Sequence, residues 1–127
     1  MNRRRAFRLG DLQLRILRVL WESREGTVAD VQQRIGGDHL AYTTVATMLR
    51  KMEDRGLVHH KEEGRKFVYQ AAISMEEVSR NMAGDLVDRV FAGSLSDAVT
   101  HLLESREVSR AELDSLERLI RQRKKLA

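Results

Sequence analysis

Residues 41–58 read AYTTVATMLRKMEDRGLV, and this stretch decides the fold. Val45, Met48, Leu49 and Met52 recur at helical spacing. They predict the inner face of a helix running from about Tyr42 to Arg55, stopped by Gly56. The outer face carries Thr43, Thr47, Arg50, Lys51 and Asp54, where a solvated helix would usually show Glu, Lys or Gln. A helix entering a DNA major groove needs outer side chains short enough to admit its backbone and able to reach base edges. Threonine supplies a hydroxyl for donor or acceptor edges and a methyl for the thymine C5 group. Tyr42 and Thr44, in the first turn, are placed to meet phosphate or bases, and Arg50 and Lys51 would flank the groove as phosphate contacts. The plainer chemistry of the same stretch is Thr43 and Thr44 capping the helix, with Thr47 as neutral surface.

The flanking segments favour the groove-reading alternative. Downstream, LVHHK and KFVYQA are rich in β-branched and aromatic residues, with EEGR between them. That pattern predicts a hairpin whose turn uses Gly64 at a positive-φ position. Upstream, Leu12, Ile16, Val19 and Leu20 predict a helix from about Asp11 to Glu22, and Leu14, Leu17 and Trp21 widen its stripe as if it packed on two sides. A short helix over 28–35 follows, with Val28, Val31 and Ile35 inward and Gly36-Gly37 as its stop. Gly26 and Thr27 are placed to add a short third strand. Helix, helix, helix and hairpin is the order of a winged helix-turn-helix. The hairpin tip, or wing, carries Lys61, Arg65 and Lys66, cations suited to phosphate or a minor groove, diluted by Glu62 and Glu63. A solvated hairpin edge would carry lysine too.

Beyond Ser74 the pattern is helical only. Three helices are expected over about 75–91, 95–104 and 110–125. Their stripes comprise Met75, Val78, Met82, Leu86 and Val90; Leu95, Ala98, Val99, Leu102 and Leu103; and Leu113, Leu116, Leu119 and Ile120. Four helix starts share one device, a Ser or Thr followed three residues later by an acid: Thr27–Asp30, Ser74–Glu77, Ser94–Asp97 and Ser109–Glu112. Each predicts a reciprocal cap. A segment this short, with Phe91 its sole aromatic residue and no cysteine, buries too little to stand alone. A second copy is the simplest partner, with Val90, Phe91, Leu95, Val99, Leu102, Leu103, Leu113, Leu116 and Ile120 as the expected seam. The expected architecture is therefore mostly α with a small β-hairpin wing. Residues 1–8 form a flexible basic arm, 9–73 a winged-helix DNA-binding domain, and 74–127 a helical dimerisation domain.

Charge supports that division. Residues 1–73 hold 14 Lys and Arg against 9 Asp and Glu, a balance of +5; residues 74–127 hold 9 against 10, a balance of −1; together they give the net +4. The positive half is where a polyanion would bind. Arg3, Arg4, Arg5 and Arg8 suit either a DNA-tracking arm or a solvated tail. Without cysteine there is no disulfide or thiolate metal site, and no apolar run is long enough for a membrane span. A cytoplasmic protein without membrane insertion is expected. His39, His59, His60 and His101 are the imidazoles; His59 and His60, adjacent on a strand, face opposite sides and cannot share one ion. Neither a glycine-rich phosphate loop nor a nucleophile elbow is present. A non-enzyme is expected, with no cofactor and no metal. The rival readings are a ligand- or metal-responsive winged-helix regulator and a winged-helix protein–protein adaptor, though an adaptor would favour an apolar or acidic face over hydroxyls beside Arg50 and Lys51.

The segments LGDLQLRILRVLW, TVADVQQRI, LAYTTVATMLRKMEDRGLV and GRKFVYQA together resemble the penicillinase-repressor family of bacterial transcription regulators, with similarity over residues 9–122. The resemblance implies a homodimer that binds a palindromic double-stranded DNA operator and blocks transcription. It also implies a recognition helix using Tyr42, Thr43, Thr44, Thr47 and Lys51, with the C-terminal helices dimerising. Members controlling β-lactam resistance are released when a membrane sensor metalloprotease pathway leads to cleavage in the dimerisation region. The matching stretch here is VTHLLES, with His101–Leu102 at the scissile position where better-known members read Asn–Phe. The ending RQRKKLA lacks the cysteine-rich tail of copper-responsive relatives.

Overall fold

The computed structural model describes residues 9–35 and 40–127. The basic arm over 1–8, the Gly36-Gly37 stop and His39 lie outside the described residues. The elements are α1 (Asp11–Ser23), α2 (Val28–Arg34), α3 (Tyr42–Asp54), β1 (Val58–Glu63), β2 (Lys66–Ala71), α4 (Met75–Val90), α5 (Leu95–Ser105) and α6 (Arg110–Leu126). The chain divides into two compact units, one ending at Asp85 and the other beginning at Leu86.

In the first unit, Ile16, Leu17, Leu20, Val31, Val45, Leu49, Met52, Leu57 and Val58 form a fully buried core. Each large apolar side chain removed from water this way contributes about 1.5–3 kcal/mol. The two-sided packing expected of α1 is present. Leu17 is buried, while Leu14 and Trp21 pack at the margin with Val78 and Met82 of α4. Trp21 Nε1 donates to the Ile73 carbonyl at 2.9 Å, tying α1 to the chain that leaves β2. Arg15 donates to Ile35 O at 3.3 Å, and Gln32 to Leu40 O at 2.8 Å.

Helix α3 stops as a Schellman turn. The Leu57 N–H donates to Met52 O and the Gly56 N–H to Glu53 O, both at 2.9 Å. Gly56 takes φ +78°, a conformation costly for any residue with a Cβ. The buried Leu57 then feeds directly into β1. That strand pairs antiparallel with β2 from Val58↔Ala71 to Glu63↔Lys66, and Gly64 turns the chain at φ +63°. The third strand expected at Gly26-Thr27 is a single bridge. Gly26 and Tyr69 exchange both backbone bonds, at 3.0 and 2.8 Å, and Thr27 goes on to cap α2.

All four expected Ser/Thr oxygens accept the N–H three residues on, at 3.0–3.1 Å. The return bond from acid to cap N–H forms at Thr27, where Asp30 Oδ2 accepts at 3.0 Å. At Ser94 it cannot form, because that N–H already donates to Phe91 O. The Thr27 N–H, then its hydroxyl, holds the Asp30 carboxyl below the ordinary carboxylate range. Its stabilisation is therefore present above the unfolded pKa and lost as pH falls through the lower native value. Thr27→Ala is expected to cost about 0.5–2 kcal/mol in urea unfolding at neutral pH, shrinking toward strongly acid pH. An unchanged midpoint at neutral pH would show that the cap is dispensable.

The second unit has little interior. Among residues 86–127 Ala98 alone is buried, while Val90, Leu95, Val99, Leu102, Leu103, Leu113, Leu116, Leu119 and Ile120 are exposed and Phe91 is half-buried. The rings of Phe91 and His101 meet at 5.9 Å. No helix among the described residues is long and apolar enough to cross a membrane.

Candidate nucleic-acid interface

The rotation of α3 is set by burial. Val45, Leu49 and Met52 are all 0% exposed, which turns Tyr42, Thr43, Thr44, Thr47, Arg50 and Lys51 to the surface. Met48, expected on the inner face, is only half-buried. The correction follows from helical phase: Val45, Leu49 and Met52 centre the stripe, and Met48 falls at its edge. There Met48 joins Thr43, Thr44, Thr47 and Lys51 around one shallow cleft, and its sulfur accepts from Gln13 Nε2 at 3.4 Å.

The N-terminus of α3 is Ala41, which offers no side-chain cap, and the first turn holds no acid. Thr44 and Val45 donate their N–H groups to Ala41 O, so the threonines follow the cap position rather than occupy it. The capping alternative for Thr43 and Thr44 is thereby removed. An uncapped, unacidified helix start presents N–H groups and the positive end of the helix dipole to whatever anion approaches.

The wing is held from both faces. On one, His60 Nδ1 lies 2.7 and 2.8 Å from the two Glu53 carboxylate oxygens of α3. The His60 ring stacks on Phe67 at 4.1 Å and 17°, and meets Tyr69 at 5.5 Å. Burial, reinforced by Glu53, pushes the Tyr69 hydroxyl above its ordinary pKa. On the other face, Lys61 Nζ lies 3.2 Å from Glu25 and 3.2 Å from Glu63, and Gln70 donates to Glu25 at 3.1 Å. The hydrogen bond from Lys61, then that from Gln70, holds the Glu25 carboxyl below its usual range, and Glu25 in turn raises the Lys61 ammonium. Lys61 is therefore engaged within the chain. Arg65 and Lys66 stand exposed at the turn, without an ion pair among the described residues.

Sequence reasoning missed the Glu53–His60 contact. Strand parity puts His60 on the same face as Tyr69 and Phe67, but nothing in the order of residues says that α3 ends against that face. His59 faces the opposite way, as alternation requires. Among the described residues no group of three or more His, Asp or Glu is placed to hold a metal ion.

Residues 9–122 match the family model described as penicillinase repressor, nearly the whole chain. The chain belongs to the penicillinase repressor family. Its relatives include the penicillinase repressor of Bacillus licheniformis, 24% identical over 117 residues, which cover 91% of this chain and 91% of that one. The transcriptional regulator BlaI of Mycobacterium tuberculosis (strain CDC 1551 / Oshkosh) is 32% identical over 119 residues, 89% of this chain and 83% of that one. Among solved structures, the monomeric form of B. licheniformis BlaI in complex with the blaP half-operator is 24% identical, with a TM-score of 0.49, and covers 57% of this chain and 90% of that one. For a penicillinase repressor family member, three helices followed by a two-stranded hairpin are the winged-helix half of the fold. The pair His101–Leu102 lies inside α5 with both residues exposed.

Proposed function

We propose that this chain is a cytoplasmic, sequence-specific DNA-binding repressor that acts as a homodimer on a palindromic operator. The observation that carries the reading is the outer face of α3: hydroxyls and a lysine around a shallow cleft, beside an uncapped helix start, on a helix locked by a fully buried inner face. In this reading Thr43, Thr44 and Thr47 meet base edges, while Tyr42, Arg50, Lys51 and the α3 N-terminus meet phosphate. Arg65 and Lys66 follow the backbone from the wing. The exposed apolar faces of α4, α5 and α6 support the dimer, since apolar area of that extent on a lone chain marks an interaction site. Two recognition helices about one helical turn apart, ~34 Å, would then read the two half-sites together. Loosening the C-terminal helices, by cleavage within α5 or otherwise, would release DNA without touching α3.

Thr47→Ala is expected to relax sequence preference, losing about 1–3 kcal/mol of discrimination at one base position. Lys51→Ala should weaken all sequences alike and lower the salt slope of binding by about one unit. Gel shifts on operator and scrambled duplexes at two salt concentrations separate the two effects. Equal losses on every sequence for both variants would remove base readout by this helix.

One observation favours the ligand-responsive alternative. A groove of about 380 Å³ lies between α1 and the start of α4, lined by Leu14, Trp21, Met75, Val78 and Met82 with Arg18, Glu22 and Ser79 at its polar edge. Under that alternative an effector would enter there, and filling the groove by Ser79→Trp would mimic or block its action on DNA binding.

A further inference from the structure

Helix α6 carries two charges inside its apolar stripe. Glu112, Leu116, Leu119 and Arg123 are spaced by four, three and four residues, so they share one line along the helix, with Leu113 and Ile120 beside it. The stripe thus begins with a carboxylate, is apolar through its middle and ends with a guanidinium about 16 Å further on, at 1.5 Å per residue. All of these side chains are exposed, and neither Glu112 nor Arg123 has an ion-pair partner among the described residues. An uncompensated charge is costly to bury, so whatever covers this stripe must neutralise both ends.

We propose that the occupant of the α6 stripe is α6 of a second copy, laid antiparallel about a two-fold axis that passes between Glu117 and Arg118. This rests on the homodimer reading above and specifies its geometry. In that register Leu116 of each copy faces Leu119 of the other at the centre. Glu112 of each copy meets Arg123 of the other, so two ion pairs close the ends of the seam. A parallel pairing would set Glu112 against Glu112 and Arg123 against Arg123, two like-charge contacts. The antiparallel arrangement also opposes the two helix dipoles favourably. A symmetric pair of this kind is self-complementary, as a closed dimer requires.

Charge exchange tests the register in the full-length chain. Sedimentation equilibrium is measured for the unaltered protein, for Glu112→Arg, for Arg123→Glu and for the double variant, with circular dichroism confirming helix content. Each single reversal should raise the dimer dissociation constant on the order of tenfold or more. The double variant should recover to within a few-fold of the starting value, since each exchanged residue again meets its opposite. Because the chain has no cysteine, a second readout is available. Mixed Leu116→Cys and Leu119→Cys proteins should oxidise to the mixed disulfide in preference to either self-disulfide. A dimer insensitive to both reversals, or one the double variant fails to restore, overturns the antiparallel seam and leaves the homodimer standing on other contacts. A monomeric unaltered protein would instead remove the homodimer reading itself.

Discussion

Leu102→Asp is expected to separate the dimer and weaken operator binding by about 10²- to 10⁴-fold, while leaving the winged-helix unit folded. The loss follows from linkage: two weak half-site contacts joined by a stable dimer bind as one event, and breaking the joint removes the gain in effective concentration. Leu102 is 44% exposed in the single chain, so an aspartate there meets water and does not disturb the core around Leu49. In the dimer the same carboxylate would enter an apolar seam without a partner, a cost far above that of losing the leucine contacts alone. The check is paired: sedimentation for the oligomeric state and a gel shift on a two-half-site duplex. A variant that remains dimeric and grips the operator normally would show that α5 lies outside the joint.

The second large effect is on stability. Leu49→Ala should destabilise the first unit by about 2–5 kcal/mol, the sum of lost transfer energy and a cavity that neighbours only partly fill. Leu49 is 0% exposed and packs in the cluster with Ile16, Val31, Val45 and Met52, so the helix that carries the hydroxyl face is also a wall of the core. Loosening that wall should weaken DNA binding as well, because the rotation of α3 aims Thr43, Thr44 and Thr47. Leu126→Ala, 78% exposed at the end of α6 and beyond the Glu112–Arg123 stripe, provides the contrast and should barely move the unfolding midpoint. Urea unfolding followed by circular dichroism distinguishes the two. A Leu49→Ala loss below 1 kcal/mol would mean that α3 is held by something other than this packing.

How much of this was legible in the residue order depends on the range of the interaction involved. The α1 stripe, the serine caps and the Gly64 turn are local, within about four residues, so spacing alone predicted them and the element boundaries agree to within one or two residues. Met48 was misplaced because an apolar residue at the margin of a stripe obeys the same spacing as one at its centre. The reciprocal caps were overcounted because a cap N–H can be claimed by a nearby carbonyl, as Phe91 O claims that of Ser94.

From the sequence by itself came the order helix, helix, helix, hairpin, the exposed threonines of α3, the positive first half and the apolar stripes of the last three helices. These are consequences of periodicity and composition, which act along the chain. Only the tertiary structure decided that Glu53 clasps His60, that Lys61 is spent on Glu25 and Glu63 while Arg65 and Lys66 remain exposed, and that α5 and α6 keep their leucines on the surface. Such pairings depend on which faces meet when distant segments pack, and the distance between two residues in space is not written in their separation along the chain.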